Sequence, residues 1–169
     1  MGPQVFRPAV GRVTTTPKIE PKLAINKMKT QFIINAQTQF LRETIQFYNS
    51  SNRATGPKGI GCVYNETPTS PGCAIGRHVP NKKLCALWSE SEGFPNGAFV
   101  CSLPKDLLGP LVALGVDFLD YVQQLHDRGF FWDAAGLSPL AEAFVCDTCR
   151  RFGLPVAQVL VDKPAENTN

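Results

Sequence analysis

Apolar residues return at helical spacing in three long stretches of the chain. Within Gln31–Asn49, Ile33, Phe40, Leu41, Ile45 and Tyr48 fall near one face, and Arg42, Glu43 and Gln46 fall away from it. Asn49-Ser50-Ser51-Asn52 stops this helix. Over Gly115–Arg128, Phe118, Leu119, Val122 and Leu125 share a face, and Gly129 suits a left-handed stop. Ser138-Pro139 opens a third helix that runs to Phe152 and stops at Gly153. Two shorter helices are predicted, one capped by Asn81 and running to Trp88, the other over Leu103–Leu108 with Pro104 in its first turn.

The middle of the chain has a different pattern. Ala54–Gly61 reads as a loop and Cys62-Val63-Tyr64 as a short strand. Thr67-Pro68-Thr69-Ser70-Pro71-Gly72 reads as a turn, and Cys73-Ala74-Ile75 as the returning strand. Glu90–Gly97 is a further polar loop, and Leu154–Val161 fits either a short buried strand or a last helical turn after Pro155. Residues 1–29 hold Pro3, Pro8, Pro17 and Pro21, and their apolar residues have no period. The predicted class is α+β, mainly α: a small helical body with one short β-hairpin and an extended N-terminal arm. The boundaries are 1–29 for the arm, 30–162 for a single globular body and 163–169 for a polar tail.

Charge sharpens the division. Residues 1–30 carry Arg7, Arg12, Lys18, Lys22, Lys27 and Lys29 against Glu20 alone, for a net +5. The other 139 residues hold 11 basic and 13 acidic side chains, for a net −2, so the basic character belongs to the arm. No apolar run approaches the ~20 residues that span a bilayer, and no apolar signal segment stands near the N-terminus. The expectation is a chain made in the cytosol and not secreted, with reduced thiols.

Chemistry-bearing residues concentrate in Cys62–His78, which brings Cys62, Cys73, Arg77 and His78 together. Structural zinc prefers cysteines two to four residues apart, whereas ten residues separate Cys62 from Cys73. A zinc site would need both thiols, His78, and Cys85 or His126. The plain alternative makes the two cysteines small buried hydrophobes. Cys146 and Cys149 form a C-x2-C pair well inside a helix rather than at its N-terminus, a placement that fits core packing better than redox chemistry. Cys73 with His126-Asp127 supplies the residue types of a thiol nucleophile and its base. Neighbours on a helix do not face each other, so Asp127 is expected to orient His126 poorly, and His126 alone could cap its helix. Gly56–Gly61 lacks the spacing of a phosphate loop. Arg77 and His78 could hold an anion, and the arm cations could contact phosphates.

Several segments taken together resemble a family. These are Phe40-Leu41-Arg42-Glu43-Thr44, Cys62-Val63-Tyr64, Cys73-Ala74-Ile75-Gly76-Arg77-His78, Leu114-Gly115-Val116-Asp117-Phe118-Leu119, and Leu125-His126-Asp127 with Trp132. Over residues 32–153 the chain resembles small proteins of bacteriophages and other mobile elements. That group brings no established activity, so no catalytic role carries over. The resemblance implies a viral or mobile-element origin and a role in host interaction, evasion of host defence or the virion.

The expected function is a non-enzymatic interaction protein that docks on a host complex, a neighbouring subunit or a virion component. Its contact residues would be Arg7, Arg12, Lys18, Lys22, Lys27, Lys29, Arg77 and His78. No cofactor is expected and no membrane. The alternatives are a small Cys- or zinc-dependent enzyme centred on Cys62, Cys73, His78 and His126, and nucleic-acid binding through the arm.

Overall fold

The computed structural model describes residues 21–53, 63–64, 72–93 and 99–161, with the side chains of the first helix described from Ile25 onward. Among the described residues six α-helices follow one another: α1 (Pro21–Phe47), α2 (Lys82–Ser91), α3 (Lys105–Leu108), α4 (Val116–Asp127), α5 (Pro139–Phe152) and α6 (Val156–Val159). The 3-10 segments Val100–Ser102, Gly109–Leu114 and Gly129–Phe131 lie between them. α4 sits centrally, against α1, α5 and the 3-10 segments that flank it. Its Phe118, Leu119, Val122 and Leu125 are buried against Phe40, Leu41, Ile45 and Tyr48 of α1 and Ala141, Val145 and Cys149 of α5.

Local signals place the caps. The Asn81 side chain accepts from Leu84 N at 3.1 Å, and the Ser138 hydroxyl accepts from Ala141 N at 3.3 Å with Pro139 behind it. Gly153 closes α5 at φ 67°, ψ 30°, where Leu154 N reaches Cys149 O at 2.8 Å. Buried polar groups tie the layers together. Gln37 donates to Leu114 O at 2.7 Å, Gln123 accepts from Val100 N at 2.6 Å, and the Trp132 indole donates to Leu125 O at 2.8 Å.

The α+β class does not hold. Among the described residues there is no strand, only an isolated bridge between Trp132 and Leu137, and the fold is mainly helical. Cys73 N does reach Val63 O at 2.7 Å, but no strand is formed by the described residues. The chain then coils: Arg77 N bonds Cys73 O at 3.1 Å, and Val79 N bonds Ile75 O at 3.2 Å. Gly76 shows why. A Cβ there would lie 2.7 Å from Tyr64 Cα, so the two segments meet by close backbone packing rather than as paired strands. Cys62 and residues 65–71 of the predicted hairpin lie outside the described residues.

The arm is also redrawn. Residues 21–29 are helical and continue unbroken into α1, across the boundary drawn at residue 30. Pro21 holds the first helical position, where its missing N–H costs nothing, and Lys, Leu, Ala and Met after it are good helix formers. Residues 1–20, the Ala54–Gly61 loop and the 163–169 tail lie outside the described residues. No helix among the described residues is long and apolar enough to cross a membrane.

Candidate functional site

Titratable groups gather where the C-terminal end of α4 meets the chain leaving α1. His126 is fully buried, and its ring lies edge-on to Tyr48 with centroids 4.6 Å apart. Its Nδ1 lies 2.8 Å from Asp127 Oδ1. The carboxylate makes Nδ1 the donor, so Nε2 of the neutral ring presents a lone pair. Nε2 is buried without a hydrogen-bond partner, as are Asp127 Oδ2 and Arg53 Nε. Asp127 therefore does orient its neighbour, against expectation. It is the last residue of α4, and the extended backbone at Arg128 frees its side chain from the regular helical direction.

His126 does not cap the helix; Arg53 does. Its guanidinium donates from one nitrogen to His126 O at 2.8 Å and to Asp127 O at 3.0 Å. These are the orphan carbonyls of a helix end, where a cation is favoured. Gly129 is accordingly no left-handed stop. Arg128 leaves the helix extended, and a Cβ at Gly129 would come within 3.1 Å of the guanidinium. The sequence reading missed Arg53, because it stands alone more than seventy residues before its partners.

Tyr48 links this end to Cys73. Its hydroxyl donates to Gly72 O at 2.8 Å, and burial raises its pKa while the nearby Arg77 cation opposes the shift. Arg77 itself lies over the Phe47 ring, 3.6 Å from the centroid, with one guanidinium nitrogen buried and unpartnered. His78 packs on Phe40 at 4.7 Å. Both are half-buried. Burial holds the pKa of His78 and of His126 below the ordinary value. For His78 the Arg77 cation adds to the effect, and for His126 the Asp127 contact opposes it.

Cys73 is disulfide-bonded, so in this form it is neither a thiolate nucleophile nor a metal ligand, and the expectation of reduced thiols fails there. Cys85, Cys101, Cys146 and Cys149 are free. Burial pushes the Cys149 thiol up to about 11, away from a reactive thiolate. Among the described residues no three His, Cys, Asp or Glu side chains converge in a way that could hold a metal ion. Cys62, required by the zinc and thiol alternatives, lies outside the described residues.

The predicted contact cations are dispersed. Arg7, Arg12 and Lys18 lie outside the described residues, and Lys22 lies on α1 with its side chain outside them. Lys27 and Lys29 are exposed on the first turns of α1. Beside them stands a feature that the pattern reading divided between the arm and the first helix. Met28 is 71% exposed, Phe32 72% and Ile25 51%, and Met28, Lys29, Phe32 and Ile33 line one shallow depression. The site thus has two parts: a closed polar cluster around His126, and an open apolar stripe on α1. No family model, curated protein or solved structure matches the chain.

Proposed function

We propose that this protein is a non-enzymatic interaction module that docks on a protein partner through the N-terminal half of α1. The observation that carries the reading is the exposure of Met28 and Phe32, at 71% and 72%, on a helix whose next turns are packed into the body. An isolated helix in water is only marginally stable, and two large apolar side chains left in water gain nothing for it. A partner that buries them supplies what the helix lacks. The His126 cluster plays a structural part in this reading. Its one free imidazole nitrogen is sealed from solvent, and Cys73, which follows the Gly72 carbonyl that Tyr48 holds, is already oxidised.

The resemblance to bacteriophage and mobile-element proteins sets the context: a host complex or a virion component as partner, in the host cytoplasm or in the particle. The test is photo-crosslinking of the full chain, with a benzophenone amino acid in place of Met28, in extract of its own host. A discrete protein adduct that disappears with Phe32→Ala supports the reading. A lipid adduct, or no adduct at all, overturns it.

A further inference from the structure

The apolar stripe and the buried face of α1 point in different directions. The helix turns by ~100° per residue. Ile25, Met28 and Phe32 therefore share one side, whereas Leu41, Thr44, Ile45 and Tyr48, which pack into the body, lie about a third to half a turn away, with Ile33 and Phe40 between the two faces. Among the described residues, the elements that cover the second half of α1 leave Met28 and Phe32 exposed.

Charge says what kind of surface suits them. From residue 21 to residue 41 the only ionisable side chains are Lys22, Lys27 and Lys29, all basic. Lys29 lines the apolar depression, between Phe32 and Ile33 on the helix surface, while Lys27 falls on the opposite side of the helix. A second copy of the stripe would bring lysine to lysine. The chain's own first twenty residues carry Arg7, Arg12 and Lys18 against Glu20, the same sign again. We infer that the occupant is a protein groove with an apolar floor and a carboxylate rim, which receives α1 helix-in-groove with Phe32 and Met28 as anchors and Lys29 paired to the rim. The inference rests on the docking reading above and adds the chemistry of the partner.

The probe is calcium-loaded calmodulin, an apolar methionine groove that takes basic amphipathic helices. Its binding to the full-length protein is compared with binding to phosphatidylglycerol vesicles and with self-association in sedimentation. The expected result is calmodulin binding that Phe32→Ala weakens by roughly tenfold or more, the loss of one buried aromatic anchor. Lys29→Glu weakens it further than Lys27→Glu, although both change net charge equally. If Phe32→Ala matters and the two lysine variants behave alike, the acidic rim is wrong while docking stands. Binding to vesicles alone, or self-association abolished by Phe32→Ala, overturns the protein groove. If no probe binds, the groove falls. If binding is indifferent to Phe32→Ala, the docking reading falls with it. Stripe substitutions sit in solvent, so unchanged circular dichroism verifies the fold in every arm.

Discussion

One guanidinium nitrogen of Arg53 holds the carbonyl of His126 at 2.8 Å and that of Asp127 at 3.0 Å. A single side chain thus closes the central helix and anchors the chain leaving α1 to it. Arg53→Ala removes both bonds and leaves two carbonyls without this partner. The expected loss is about 2 kcal/mol, since bonds from a charged donor contribute ~1.5–3 kcal/mol each when well formed. Arg53→Lys recovers only part of it. Urea midpoints of the three proteins at constant slope decide the matter.

Stability should fall as the solution is acidified below neutrality. His126 and His78 are held neutral by burial in the folded chain, and in the unfolded chain they titrate near 6.5. Below that pH the unfolded state takes up protons that the folded state refuses, so stability present above pH ~6.5 is lost as pH drops toward the lowered folded values. Urea unfolding at pH 7.5 and pH 5 measures the slope. His126→Gln should make it shallower; an unchanged slope would clear His126 of any part in it.

Gly76→Ala should destabilise by about 1–3 kcal/mol, the usual range for forcing atoms into packed space. The added methyl would stand 2.7 Å from both Cα and the carbonyl oxygen of Tyr64, which are backbone atoms with no rotamer to yield. Thermal melts of the single variant are a sufficient check.

Two phenylalanines should behave in opposite ways. Phe32→Ala changes the stability of the isolated protein by no more than about 0.5 kcal/mol, because the ring lies 72% in solvent. Phe118→Ala, at full burial between Phe40 and Phe152, costs about 3–5 kcal/mol. A large loss from Phe32→Ala would mean that the stripe is covered by the protein itself.

What was legible in the sequence was what short-range chemistry decides. Ser138-Pro139 and Gly153 bracket α5 because both caps bond within their own turns. The α4 face was legible from period alone. Two kinds of information were not. Cys73-Ala74-Ile75 has strand-like residues, yet the close approach of Gly76 to Tyr64, twelve positions earlier, decides its path. Pro21 reads as a breaker among four prolines, and only its place at the head of Lys-Leu-Ala makes it a helix start. At the site, the residue types at 126 and 127 were legible but not their contact, which depends on where α4 ends. Arg53 gave no local signal, because its function lies entirely in a distant helix end. The apolar stripe was visible as residues but not as a face, since the predicted helix began at Gln31 and left Ile25 and Met28 outside it.

The indole of Trp132 donates to Leu125 O at 2.8 Å with Tyr48 only 6.1 Å away, while Trp88, the one other tryptophan, is half-buried on α2. The protein therefore carries its own optical gauge. With Trp88→Phe, the remaining emitter sits in a dry site and receives excitation from Tyr48. Any loosening where α1 and α4 meet shifts its emission to the red, so the closing of this junction can be followed in real time without a label.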